Sequence, residues 1–337
     1  MKKLLITALL GVITLLLIGC DNTENNPQRN DGEFFYTTDQ LTEIKDSFLD
    51  VDVEVTQTSV KFVDNGVLKE LSLNKKRIVS MFNSATGIIY EAGGSIIGRL
   101  AGNDELPEQA ITDGNQHIIG DSHNSFSNEL LLAAEPDLVV LSTQGDQQDT
   151  RRFLDEMGID TITPILNSVN SYFYYLKIFS ILAGENNYDD LGNQVADSII
   201  DILSLIPNHD PRTVLLVRAS SRALSGFGTN SSNGEMLSLL GTINFHGNIV
   251  STSSIDNEAV MIANLSHIFV FQMGDATAAQ KYYYDTYTPI WGINPGFANT
   301  VFLEKELYQF RPNALYPLAF LKLAQVLYPE VFNDYGL

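Results

Sequence analysis

Short apolar runs recur along this 337-residue chain, each parted from the next by a stretch of helical character. Arg77-Ile78-Val79-Ser80, Ile96–Leu100, Leu138–Leu141 and Thr161–Ile165 come first, and Thr213-Val214-Leu215-Leu216-Val217, His267–Phe271 and Thr300–Leu303 follow. Runs that are apolar at consecutive positions predict strands covered on both faces, hence a mainly parallel α/β sheet. Between the two groups lie an aromatic-rich helical stretch, Ser168–Ala183 (Tyr172, Phe173, Tyr175, Phe179), and a second predicted helix from Tyr188. In the latter Leu191, Val195, Ile199, Leu203 and Ile206 form one stripe, stopped by Pro207. At 1.5 Å per residue, Tyr188 to Ile206 spans ~28 Å, long enough to bridge two lobes.

Upstream, Val60-Lys61-Phe62-Val63 and Val67-Leu68-Lys69-Glu70-Leu71 flank Asp64-Asn65-Gly66. Asn-Gly between alternating apolar residues predicts a β-hairpin. After the first buried strand the expectation is a polar loop at Asn83-Ser84, then a helix through Ile88, Ile89 and Tyr90; a last helix is expected from Ala314 to Leu327. A faint repeat aligns Glu129–Leu141 with Glu258–Val270, each a glutamate, a helix of about two turns, a break and a buried strand.

The N-terminus carries a separate signal. Lys2 and Lys3 precede an uncharged, mainly apolar stretch from Leu4 to Ile18, which Leu17-Ile18-Gly19-Cys20 closes. These 15 residues fall short of the ~20 that a membrane-spanning helix needs, and a basic end before them reads as a secretory signal. A small residue before the cysteine, with leucine three positions upstream, resembles the bacterial lipobox, which implies cleavage before Cys20 and a diacylglycerol on its thiol. The alternative is an ordinary signal peptide with a free thiol, but a lone cysteine in an oxidising compartment makes little sense unless it is consumed chemically. Asp21 to Glu33 holds no large apolar residue and reads as a spacer, reaching on the order of 20 Å. Without residues 1–19 the chain has 18 Lys+Arg against 41 Asp+Glu, a formal charge of −23. That balance argues against nucleic acid and keeps the body off an anionic bilayer, leaving the lipid as the attachment. No cysteine follows Cys20, so stability rests on the core alone.

Taken together, Lys76-Arg77-Ile78-Val79-Ser80, the Glu129…Pro136-Asp137-Leu138-Val139-Val140 block and Leu154…Gly158-Ile159 resemble the binding proteins of ABC importers for iron complexes, haem and cobalamin. In the second half the carriers are Met236-Leu237…Leu240-Gly241…Asn244 and Arg311-Pro312-Asn313-Ala314…Leu323-Ala324…Leu327-Tyr328-Pro329-Glu330-Val331-Phe332, so the resemblance covers roughly Val60 to Phe332. It implies two Rossmann-like α/β lobes joined by a single long rigid helix, a ligand cleft between them, no catalysis and no cofactor. The chain departs from it in two places: Phe82-Asn83-Ser84-Ala85-Thr86-Gly87 replaces the usual Pro-Ser-x-Thr-Glu, and Leu265-Ser266 the usual Pro-Asp. The expected organisation is signal peptide 1–19, lipidated cysteine and spacer 20–33, extension and hairpin 34–76, first lobe 77–167, helical connector 168–207 and second lobe 208–337.

Other chemistry has weaker support. Gly120-Asp121-Ser122 resembles the nucleophile segment of one esterase family, but none of the five histidines (His117, His123, His209, His246, His267) has the aspartate three residues earlier that would supply the base. The plainer reading of that segment is a polar loop capping the next helix. No Gly-x-Ser-x-Gly elbow, dinucleotide fingerprint or P-loop occurs, so any ATPase must be a separate protein. The scattered histidines also give little footing to a bare metal ion.

For an organic iron complex (siderophore or haem, with cobalamin the alternative) the cleft should offer aromatic faces, donors and cations where strands end. The candidates are Met81, Phe82, Asn83 and Ser84 in the first lobe, and Arg218, Ser220, Ser221, Arg222, Met273, Tyr283 and Trp291 in the second. Arg218, after Val214–Val217, suits a carboxylate or anionic chelate. Met273 lies eight residues after Leu265, where similar haem-binding proteins place an axial ligand, and Met81 is the candidate opposite it; packing of the cleft wall is the alternative for both. The resemblance also makes Glu129 and Glu258 the permease-docking residues of a monomer on the outer face of the cytoplasmic membrane. Ser127 and Asp256 precede them as N-caps, which would put each glutamate in the first turn of a helix.

Overall fold

The computed structural model describes residues 31–102, 106–112, 116–143, 147–185, 187–247, 254–308 and 315–335. The expected signal peptide, Cys20, the expected spacer as far as Asn30 and Arg311-Pro312-Asn313-Ala314 lie outside the described residues. The region from 34 to 76 holds more than a hairpin: a helix, α1 (Thr38–Leu49), precedes it. Thr37 and Gln40 form a reciprocal capping box at its start. Strands β1 (Glu54–Val55), β2 (Ser59–Asp64) and β3 (Val67–Ser72) then make an antiparallel sheet. Asn65 and Gly66 take the left-handed conformation (φ 49° and 77°) that a two-residue hairpin turn requires.

The first lobe runs β4 (Ile78–Ser80), α2 (Asn83–Glu91), β5 (Gly98–Leu100), α3 (Glu108–Thr112), β6 (His117–Ser122), β7 (Ser125–Phe126), α4 (Asn128–Ala133), β8 (Leu138–Val140), α5 (Gln147–Glu156) and β9 (Asp160–Ile162). Its sheet has the order β7-β6-β5-β4-β8-β9 and is parallel apart from β7. Asn83 and Ser84 form the first turn of α2, with Phe82 at the N-cap, so no polar loop separates strand from helix. Asp121 and Ser122 belong to a strand, β6 paired with β7, and the cap of the next helix is Ser127.

Two helices, α6 (Val169–Ala183) and α7 (Tyr188–Ser204), join the lobes. Gly184, at φ 80°, ends α6. The helix α7 carries the chain across and, at 17 residues, is ~25 Å long. It packs against α6 and α1, and its stripe is buried as the periodicity predicts, with Val195, Ile199, Leu203 and the following Ile206 in the core.

The second lobe contains β10 (Arg212–Ala219), β11 (Leu224–Phe227), α8 (Ser232–Leu239), β12 (Thr242–Asn244), α9 (Asn257–Ile262), β13 (His267–Gln272), α10 (Ala276–Trp291), α11 (Pro295–Ala298), β14 (Thr300–Leu303), α12 (Lys305–Tyr308), α13 (Tyr316–Leu327) and α14 (Pro329–Phe332). Strand β10 pairs parallel with β13 on one side. On the other it meets β12 in parallel along Arg212–Val214 and β11 in antiparallel along Leu216–Ala219. That unexpected return strand extends β10 past Val217, so Arg218 lies inside the ladder.

The pleat sorts the strand side chains into layers. Ile78, Leu138 and Val140 of the first lobe share one core with Val214, Leu216, Phe269 and Phe271 of the second and with helices α6, α7 and α13. The opposite faces close separately, Val79, Val139 and Leu141 in one lobe and Leu215, Val217, Ile268 and Val270 in the other. The faint repeat therefore has a structural basis. Its aligned pairs Leu131/Val260, Val139/Ile268 and Leu141/Val270 all face outer cores, and Val140/Phe269 faces the shared one. The backbone agrees: Asp137 N–H donates to Arg77 O and Ser266 N–H to Thr213 O, which makes β4 and β10 counterparts.

Candidate functional site

Arg218 follows Val214 and Leu216 on the pleat face toward the shared core, near the C-terminal end of β10. Its guanidinium stands 5.4 Å from the centroid of the Phe227 ring, supplied by β11. Phe227 in turn packs edge-on against Phe271, 4.8 Å between centroids. Arg218 makes no ion pair among the described residues. A guanidinium braced on an aromatic face keeps its in-plane N–H groups available to an anion. By the correspondence of β4 with β10, the first-lobe counterpart of Arg218 is Phe82, half-buried against the shared core. Equivalent strand ends thus offer an aromatic ring from one lobe and a cation from the other.

The remaining strand-end candidates fall unevenly. Asn83 is half-buried, its Nδ2 3.4 Å from Gly102 O, while Ser84 is buried in α2. Ser220 is committed to the β10–β11 turn, its Oγ accepting from the N–H groups of Arg222 (3.3 Å) and Ala223 (3.1 Å). Ser221 and Arg222 are exposed on that turn. Met273 is half-buried just past β13, its N–H donating to Ala219 O at 2.8 Å. It therefore sits at the same sheet end as Arg218.

Three candidates are corrected. Met81 is only 1 % exposed and packs in the outer core with Val79, Leu100, Leu131 and Leu141. One step along the strand from Phe82, the pleat turns it away from the shared face, so it does not stand opposite Met273. Tyr283 is fully buried, stacked on Phe297 at 5.4 Å with its hydroxyl 3.0 Å from Thr300 Oγ1; burial pushes its pKa up. Trp291 is buried as well, and its Nε1 donates to Asn257 Oδ1 at 3.1 Å. Both aromatics lie on the stripe of α10 that includes Ala279 and faces the sheet. That spacing of four was readable in the sequence as a core face.

Glu129 and Glu258 are exposed in the first turns of α4 and α9, with Ser127 and Asp256 capping as expected. Sequence reading missed what holds the far ends. Arg77 donates to Ala134 O (2.6 Å) and Glu135 O (2.7 Å) after α4. Asn294 Nδ2 donates to Val260 O (2.6 Å) and Ala263 O (2.8 Å) at the end of α9. Among the described residues no three His, Cys, Asp or Glu side chains converge as a metal donor set.

The sequence model of the family described as "Periplasmic binding protein" matches residues 78–285. No curated protein matches. Among solved structures, an ABC transporter substrate-binding protein from Listeria monocytogenes EGD-e is similar at 16% identity and TM-score 0.63, over 76% of this chain and 100% of that one. The periplasmic heme binding protein of Vibrio cholerae is 18% identical with TM-score 0.63, over 75% and 99%. The periplasmic vitamin B12 binding protein of the same organism is 16% identical with TM-score 0.58, over 78% and 99%. With the family match spanning well over half its length, this chain belongs to the periplasmic binding protein family.

Proposed function

We propose that this protein is the extracytoplasmic solute-binding component of an ABC importer, capturing an anionic iron complex, siderophore or haem, in the cleft between its lobes. The observation that carries the reading is Arg218, braced on Phe227 and without an ion pair among the described residues, in a chain of formal charge −21. A cation held on an aromatic face at a strand end suits a flat or chelated anion. Phe82, Asn83, Ser221, Arg222 and Met273 are the accompanying contacts. The body is tethered through lipid on Cys20, and Glu129 and Glu258 meet the permease. The proposed units are residues 77–167 and 208–337 as lobes, with 168–207 between them. Relatives that bind heme and vitamin B12 share the fold, and the charge of Arg218 favours the anionic ligands over cobalamin.

Purified protein screened against haem, ferric siderophores and cobalamin should melt at higher temperature with one of the anionic complexes. Arg218→Ala should then weaken that ligand by about 10- to 100-fold, the scale of a hydrogen bond to a charged group. Preference for cobalamin, or unchanged affinity in Arg218→Ala, would reject the anionic-ligand reading.

A further inference from the structure

Ile262 and Ile293 are the two most exposed large apolar side chains among the described residues, at 88 % and 78 %. One buried asparagine joins them. Asn294, next to Ile293, spans the carbonyls of Val260 and Ala263 on either side of Ile262. Its Oδ1 accepts from Gly296 N–H at 2.9 Å, so every polar part of the side chain is engaged. At the other end of α9, Trp291 holds Asn257, and Asp256 Oδ1 accepts from the N–H groups of Glu258 (3.0 Å) and Ala259 (3.1 Å). A six-residue helix has little stability of its own; these bonds make α9 a fixed platform. Met261, also exposed, completes the apolar group beside Glu258.

Single exposed apolar residues are ordinary. Here two of the extremes flank one capped turn, next to a carboxylate, and stiff side chains on a stiff turn lose little entropy when covered. The first lobe shares the capped glutamate but not the knob. Leu130, exposed after Glu129 on α4 whose end Arg77 fixes, aligns with Ala259, and the counterparts of Met261 and Ile262 are Leu132, half-buried, and Ala133. Two equivalent tips, each presenting a first-turn carboxylate on a helix fixed at both ends, suit a partner that presents two like basic surfaces. A second copy of this chain would set Glu258 against Glu258, and an anionic membrane would repel both carboxylates.

We propose that Met261, Ile262 and Ile293 form an apolar knob that seats in an apolar, basic-rimmed socket on the importer's permease, with Leu130 making the lesser contact on the other half. This rests on the docking role given above to Glu129 and Glu258.

The test measures binding of the full-length lipoprotein to its purified permease–ATPase complex in nanodiscs of neutral lipid. The double variant Ile262→Ser/Ile293→Ser should bind roughly 10- to 100-fold more weakly, as losing buried isoleucine surface implies, with its melting temperature unchanged. Leu68→Ser, at another highly exposed site on the hairpin (71 %), should bind as wild type. Unchanged affinity in the isoleucine variant, alongside a loss in Glu129→Ala/Glu258→Ala, overturns the knob and leaves the docking glutamates standing. Absence of binding by the wild type takes down both. Self-association, or binding to permease-free nanodiscs, that disappears in the isoleucine variant would overturn the proposal in favour of a second copy or lipid.

Discussion

Asp64 is buried, and its bonds tie the hairpin to the first lobe. Thr163 N–H donates to both of its oxygens (3.0 and 2.9 Å), the Tyr175 hydroxyl lies 3.3 Å away, and Lys69 Nζ reaches it at 3.3 Å. Lys69 also donates to the carbonyl and hydroxyl of Thr161. Burial lowers the Lys69 pKa while Asp64 pulls it back up. Asp64→Ala would strand that ammonium and the Thr163 N–H, and should cost about 3–5 kcal/mol in urea unfolding. The apolar pair Asp64→Leu/Lys69→Met should recover most of the loss; a double variant no better than Asp64→Ala would show that geometry, not the stranded charge, sets the cost. Other single residues show the limits of sequence. The place of Arg218 near a strand end was legible because a charge at the end of an apolar run stands out. Met81 was not, because a strand apolar on both faces has no alternation to say which face meets the cleft.

At the scale of elements, repetition was legible and capping was not. Glutamate, short helix and buried strand recur with like-facing side chains in both lobes, since both sheets obey the same pleat. The partners that end those helices, Arg77 and Asn294, lie 57 and 31 residues from the carbonyls they hold, so no local pattern marks them. The helix α1 did carry a local signal, Thr37 followed by Gln40, but its apolar face is sparse, with only Leu41 and Phe48 buried within it. Strand β11 followed a Ser-Ser-Arg-Ala turn that lacks the glycine or asparagine of a strong hairpin signal. Asn294→Ala should strip the Ala263 carbonyl of its side-chain donor, leave Val260 O with only the long Ala263 N–H bond and take the acceptor from Gly296 N–H, costing about 1–3 kcal/mol locally. Hydrogen exchange should show protection lost across residues 257–263 and kept in β13. Loss spread evenly over the second lobe would mean that α9 is not an independently fixed element.

Over the whole molecule, the shared core makes the two lobes and their connector one packed body, and a single carboxylate reports on that junction. Glu235, in the first turn of α8 in the second lobe, accepts the Val169 N–H at 2.6 Å, at the start of α6. The helix N-terminus favours the ionised form, yet burial outweighs the bond and raises the pKa above its ordinary 4.5. For a raised carboxyl, the folded state holds the proton more tightly than the unfolded chain. Its contribution to stability is therefore complete below pH 4.5 and is lost as pH rises through the folded pKa. Glu235→Gln keeps an acceptor for Val169 and removes the titration. The unfolding free energy of wild type minus that of Glu235→Gln should fall as pH is raised from about 4 toward neutrality. Taking the difference cancels the self-repulsion of the many other carboxylates, which also weakens the fold with rising pH. A difference flat across that range would mean the carboxylate at the lobe junction is solvated well enough to titrate as it does in the unfolded chain.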